Sequence, residues 1–290
     1  GVRTRHRRHG SGRRDSVRPD RRQRAAPERA AGAGRHRARR NPLSPEAKTL
    51  FISDLHLSAQ RPDITDRFNA FAESDAGGAE AIYILGDLFE AWVGDDAVAD
   101  YERSVAETLH RLAARGTDLY FLHGNRDFLL GRRYCEAAGM QLIEQPTVID
   151  LYGTPTVLLH GDTLCTLDAQ YQRYRARVAD PAWQRKMLSR PAWFRRIIAR
   201  VLRTASRLRN SKGERPEADV AADAVEALFS TTGAPRMIHG HTHKPDRHAH
   251  RVDGRACERI VLGDWYDQGS LLTARSDGSL TLRSIDSRSP

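Results

Sequence analysis

Five short motifs in this chain carry side chains that suit divalent cations. They are Ser53-Asp54-Leu55-His56, Gly86-Asp87, His123-Gly124-Asn125-Arg126-Asp127, His160-Gly161-Asp162 and His239-Gly240-His241-Thr242-His243. Carboxylate, amide and imidazole are hard or borderline ligands, and no thiolate stands among them. Such a set suits two-metal hydrolysis, in which a pair of cations clamps phosphoryl oxygens and lets a water ionise near neutral pH. Singly, each motif is weak. An Asp-x-His pair or a lone Asp also caps helices or joins satisfied hydrogen bonds. All five together, in this order, read as one site, with His123 and His239 as supports beside it.

Something must bring these motifs together. Each follows a short apolar run: Leu50-Phe51-Ile52, Ile82-Tyr83-Ile84-Leu85, Leu119-Tyr120-Phe121-Leu122, Val157-Leu158-Leu159 and Met237-Ile238. Runs this short, rich in β-branched and aromatic residues and ending at Gly or Asp, predict buried strands. Helical patterns over Tyr101 to Arg115 and Asp219 to Phe229 alternate with them, which implies an α/β layered fold. Ligands at the carboxyl ends of neighbouring strands converge on one crevice.

The chain has 290 residues, a formal charge of +10 and a pI near 10.0. That basicity is confined to one segment. Residues 1–46 hold 15 Arg, no Lys and four acidic residues, and the remaining chain is close to neutral. The leader has too little apolar surface to offset its chain entropy. It is therefore expected to be disordered and dispensable, with an arm for nucleic acid or an anionic membrane as the alternative. Residues 47–290 form the expected folded domain. The three cysteines, Cys135, Cys165 and Cys257, form no Cys-x-x-Cys pair, and a reducing compartment is expected. No run approaches the roughly 20 apolar residues of a membrane span.

The motifs, in their order, resemble the signature of the calcineurin-like metallophosphoesterases. Gly86-Asp87-Leu88-Phe89-Glu90-Ala91-Trp92 and Gly124-Asn125-Arg126-Asp127-Phe128 are closer still to the branch that hydrolyses UDP-2,3-diacylglucosamine. The resemblance runs from about Lys48 to Leu282. It implies a four-layer αββα sandwich with two Mn²⁺, other divalent metals being compatible. One metal would take Asp54, His56, Asp87 and His243, and the other Asp87, Asn125, His160 and His241, with Asp87 shared. It further implies substrate contacts from Asn125, Arg126, Asp168, Ser206, Asn210, Lys212 and His241. Of these, Asn125, Arg126 and His241 carry the catalytic roles.

Many relatives place His where Arg126 stands. Arginine is always charged and donates no proton, but it grips phosphate oxygens and stabilises developing charge. A pyrophosphate expels a good leaving group, so Arg126 fits diphosphate cleavage; a structural salt bridge is the alternative. Between the fourth and fifth runs, residues 166–212 turn helical and basic. Pro181 and Pro191 predict a helical pair there. Trp183, Trp193, Phe194, Ile197, Ile198, Val201 and Leu202 offer apolar area, and Arg195, Arg196, Arg200, Arg203, Arg207 and Arg209 offer charge. A lid over the site is expected, with Trp193, Ile197, Ile198 and Val201 holding acyl chains and the arginines meeting a membrane surface; plain core packing is the alternative. The expected reaction cleaves UDP-2,3-diacylglucosamine to UMP and the acylated sugar 1-phosphate in lipid A synthesis. Its expected place is the cytoplasmic face of a Gram-negative inner membrane, with no specific nucleic acid and no obligate protein partner. A phosphoesterase acting on nucleotides, nucleic acid or phosphoprotein is the competing enzyme reading.

Overall fold

Period-two alternation along the strands decides the layering. In the computed structural model, which describes residues 47–211, 219–266 and 269–285 (without the side chains of 205–211), the first strand is β1 (Lys48–Ile52). Leu50 and Ile52 face one way and Phe51 the other, and each joins a different buried cluster. The same alternation runs through β2 (Ala81–Leu85) and β3 (Asp118–Leu122). These strands and β4 (Met140–Leu142) are parallel neighbours. Helices α1 (Pro62–Glu73), α2 (Asp100–Ala114) and α3 (Arg132–Ala138) make the crossovers and cover the outer face. In α2, Val105, Leu109 and Leu112 repeat at helical spacing and are buried, each contributing about 1.5–3 kcal/mol.

The second sheet is built from β5 (Thr147–Leu151), β6 (Thr154–Leu158), β7 (Arg236–His239), β8 (Asp246–Val252) and β9 (Arg255–Val261), in the order β5-β6-β7-β9-β8. Two further strands, β10 (Ser270–Arg275) and β11 (Leu280–Ser284), return to the first sheet, whose order is β11-β10-β1-β2-β3-β4. Phe51, Tyr83, Tyr120, Leu158, Ile238 and Ile260 belong to one cluster drawn from both sheets, so the sheets pack face to face. On the far side, Val157 and Met237 pack against Val225 and Phe229 of α7 (Ala222–Thr232). The result is the expected four-layer αββα sandwich. All five predicted runs are strands.

Between β6 and β7 the chain forms three helices, where a pair was expected: α4 (Ala169–Ala179), α5 (Pro181–Leu188) and α6 (Ala192–Ser211). The correction has a local cause. Asp180 ends α4 and caps α5 by accepting the Ala182 N–H, with Pro181 at the first helical position. Pro191 then breaks the chain again before α6. The Arg-rich segment 1–46, Lys212 and the side chains of Ser206 and Asn210 lie outside the described residues.

Candidate dimetal centre

Each predicted ligand sits just past the carboxyl end of a strand: Asp54 and His56 after β1, Asp87 after β2, Asn125 after β3, His160 after β6, His241 and His243 after β7. Five of the seven have backbone in the left-handed region, with φ of 55° at Asp54, 51° at His56, 51° at Asp87, 69° at His241 and 56° at His243. That conformation costs non-glycine residues on the order of 1 kcal/mol or more each. Among the described residues only Tyr152 and Asp253, each directly before a glycine, share it without belonging to the site. The loops accept this cost in order to turn their side chains inward.

The side chains converge. His243 Nε2 lies 3.2 Å from Asp54 Oδ1 and 3.4 Å from His56 Nε2. Asn125 Oδ1 lies 3.0 Å from His160 Nε2 and 3.1 Å from His241 Nδ1. Between these two nests stands Asp87. Its Oδ1 accepts the Arg126 N–H at 2.8 Å, while Oδ2 sits 3.9 Å from His56 Nε2 and 3.8 Å from His160 Nε2. Asp54, His56 and His243 form one group able to hold an ion, and Asp54, Asp87 and His160 a second. The close spacing of Asp54 to both groups leaves two carboxylates as possible bridges. The position of Asp87 Oδ2 between His56 and His160 favours Asp87.

Three of the imidazoles are oriented from behind. His160 Nδ1 donates to Leu85 O at 2.9 Å, His243 Nδ1 lies 3.0 Å from Asp264, and His56 Nδ1 lies 3.4 Å from Glu90. A nitrogen engaged at Nδ1 leaves Nε2 as the free ligand, the usual support for a metal-binding imidazole. Glu90 also accepts from Tyr266 Oη at 3.1 Å, and the Tyr266 ring stacks on His56 at 5.0 Å. Burial alone would raise the Glu90 carboxyl; its bond to His56 and the charge of Arg126 bring it down to about 2.

The charge balance fits cations. Burial works against protonated histidine here. Even so, Asp87 and Asp54 raise His160 to about 9, and Asp54 and Asp264 raise His243 to about 10. Carboxylates that hold protons on buried imidazoles mark a place short of positive charge, which metal ions would fill by displacing those protons. Asp127, forced up to about 7 by burial and by Asp87, ties the β2 and β3 loops by accepting from Leu88 N at 2.7 Å and Gly124 N at 2.8 Å. Two motif glycines are sterically required. A Cβ on Gly124 would collide with Asp87 Oδ1, and one on Gly240 with Asp54 Oδ2.

The remaining predicted residues are distributed less uniformly. Arg126 faces a cavity of about 180 Å³ beside Glu90, Trp92, Tyr174 and Leu202. Its guanidinium has no salt-bridge partner among the described residues, so the structural alternative finds no support. Asp168 spends one oxygen capping α4, accepting Tyr171 N at 2.8 Å, and lines neither cavity beside the centre. His239 is buried against Arg259 and Gly240 O, and His123 donates to Leu130 O.

The expected acyl-binding face of α6 is corrected. Trp193, Ile197 and Val201 are exposed at 62%, 48% and 61% and, like Ile198, line neither cavity, whereas Ala199, Arg203 and a Leu202 that is itself 43% exposed line the first. The turn of α6 is set by Arg195, buried and paired with Asp96, and by Arg196, which donates to Ala97 O at 3.0 Å.

Sequence reading passed over Glu90 and Asp264. Glu90 lies inside the Gly86–Trp92 motif, three residues past Asp87. Asp264 follows β9 in Ile260-Val261-Leu262-Gly263-Asp264, the same apolar run ending in Gly-Asp that marks Asp87, so the signal was present. Exchanging either carboxylate for its amide (Glu90→Gln or Asp264→Asn) should weaken divalent-metal affinity about 10–100-fold, read by titration calorimetry. Unchanged affinity would mean that these groups merely fill space.

Comparison with known proteins agrees with this geometry. Residues 47–245 match the calcineurin-like phosphoesterase family. A UDP-2,3-diacylglucosamine hydrolase of Xanthomonas campestris pv. campestris is 49% identical over 237 residues, covering 79% of this chain and 96% of its own. One of Stenotrophomonas maltophilia is 50% identical over 237 residues, with the same coverage. Vacuolar protein sorting 29 of Cryptosporidium parvum aligns over 83% of this chain and 97% of its own, at a TM-score of 0.41 and 13% identity, too slight a likeness to argue from. With its dimetal ligand set, its αββα layers and these relatives, the chain belongs to the calcineurin-like phosphoesterase family.

Proposed function

We propose that the chain hydrolyses the diphosphate of UDP-2,3-diacylglucosamine, adding water across one P–O bond to give UMP and 2,3-diacylglucosamine 1-phosphate in lipid A synthesis. The observation that carries this is an arginine, Arg126, that has no ion-pair partner among the described residues and stands between the metal cluster and an apolar cavity. When loaded with two divalent cations, which the N/O ligand set suits and which the family resemblance makes Mn²⁺, the centre would supply an acidified water and a clamp on phosphoryl oxygens. Asp87 fixes the Arg126 backbone through its N–H, which aims the guanidinium at the phosphate without engaging it. Arg126 then balances charge on the leaving phosphate, which needs no proton donor. Tyr171, stacked 5.9 Å from His241 and bonded to Asp162, holds α4 against the centre. Trp92, Phe128 and Leu202 form the apolar wall that would meet the acylated sugar, with α4–α6 as its lid.

The outer face of α6 suits a membrane surface. Trp193, Ile197 and Val201 are exposed on it, and no Asp or Glu occurs from Pro181 to Ser211. No described helix is long and apolar enough to cross a bilayer. Action at the cytoplasmic face of a Gram-negative inner membrane follows from this reading.

The test is turnover of UDP-2,3-diacylglucosamine, bis-p-nitrophenyl phosphate and dinucleoside polyphosphates after chelation and Mn²⁺ reloading. Preference for the acylated nucleotide sugar is expected; equal or better turnover of the others would favour the generic phosphoesterase. Within that panel, Leu202→Glu should lower kcat/KM on the acylated substrate about tenfold or more, the worth of a leucine side chain that the acyl group covers on binding. The small diester should suffer far less. Equal losses would show that Leu202 serves the fold and not the substrate.

A further inference from the structure

A second cavity of about 410 Å³ lies on the other side of Asn125 from the apolar one. Asn125, Phe128, Tyr171 and Tyr174 line both, so these side chains stand between them. We propose that this second cavity is the nucleoside subsite, receiving the uracil and ribose while the acylated sugar occupies the first; the inference rests on the function proposed above. A nucleotide-sugar diphosphate has two unlike ends, and its scissile bond must lie over the metal ligands. Asn125, a predicted ligand, is the one cluster member that reaches both cavities.

Their chemistry separates the ends. The first cavity offers Trp92, Phe128, Ala199 and Leu202. The second keeps polar groups with bonding capacity to spare. Arg132, exposed at its rim, has no hydrogen-bond or ion-pair partner among the described residues. Arg175 engages Asp162 through Nε at 2.6 Å, which leaves its terminal nitrogens available. Gln184 donates Nε2 to Val178 O at 2.9 Å, which leaves Oε1 as an acceptor. The uracil edge presents one N–H between two carbonyl oxygens, so it needs an acceptor flanked by donors, and this lining supplies both. Leu142 and Ile143 add apolar surface for the face of the base. An acyl chain in the same place would strip water from these groups without replacing their hydrogen bonds.

The experiment uses the full chain loaded with Mn²⁺. UMP binding is measured by calorimetry, and UMP and 2,3-diacylglucosamine 1-phosphate are compared as inhibitors of turnover. Arg132→Glu should weaken UMP about tenfold, the worth of one charge-assisted bond, and Arg132→Gln a few-fold. The acylated sugar phosphate should stay within about twofold in both, and Leu202→Glu should reverse the pattern. Because Arg132 is exposed, neither change threatens the fold. UMP affinity unaltered in both Arg132 variants, or acylated sugar phosphate weakened as much as UMP, would overturn the assignment. Should the wild type leave UDP-2,3-diacylglucosamine uncut, the proposed function falls instead, and the UMP titration still decides what the cavity binds.

Discussion

Asp87→Ala should abolish turnover, lowering kcat by at least about 10²-fold while the metal-free protein keeps its fold. The two carboxylate oxygens of Asp87 do different work. Oδ1 accepts from the Arg126 backbone at 2.8 Å, and Oδ2 lies almost midway between His56 and His160. With Asp87 as the proposed bridge, removing them would take a ligand from both metals and loosen the loop that carries Arg126. Two-metal clamps are worth several kcal/mol of transition-state stabilisation, and about 1.4 kcal/mol is tenfold in rate. The metal-free fold gains something in return, because Asp127 loses the buried negative charge that pushes its carboxyl up to about 7. Its melting temperature should therefore stay within a few degrees of the wild type. A variant keeping more than about a tenth of wild-type turnover in saturating Mn²⁺ would remove Asp87 from the bridging position and turn attention to Asp54, which also reaches both groups.

Arg126→Ala should cost about 10²–10³-fold in turnover of the diphosphate, the range for losing one preorganised charge stabiliser. Burial works against the guanidinium's charge, Asp87 and Glu90 sustain it, and it has no ion-pair partner to lose among the described residues. Its removal therefore leaves the fold's own hydrogen bonds in place, and the loss should fall on kcat more than on stability. Arg126→Lys should recover a part, as a point charge without the fork. Arg126→His is the decisive variant. If it matched or exceeded the wild type on the diphosphate, proton donation would be limiting and the electrostatic role would be wrong.

The amino-acid sequence by itself determined the five strands, the loops that follow them and the ligand types at their ends. That information is local. A short apolar run ending in Gly-Asp or His-Gly-Asp constrains only the residues beside it, and parallel β1, β2 and β3 then had to align their carboxyl ends. The layering was legible for the same reason, since alternation along each strand names its two faces. What remained hidden depended on partners distant in the chain. The run Ile260-Val261-Leu262-Gly263-Asp264 marks a strand end but does not say that its carboxylate will meet His243, and Glu90 gains its role only where His56 and Tyr266 come to it. Of the late strands, β9 ends in the short run Ile260-Val261-Leu262, whereas β8 and β11 are largely polar and exposed and carry no such signal. Helix α6 is the clearest case. Apolar residues lie on more than one of its faces, so helical periodicity could not say which face turns inward. Arg195 decided it by pairing with Asp96, nearly a hundred residues earlier. That contact set Leu202, still half-exposed, at the edge of the cavity and left Trp193, Ile197 and Val201 away from it.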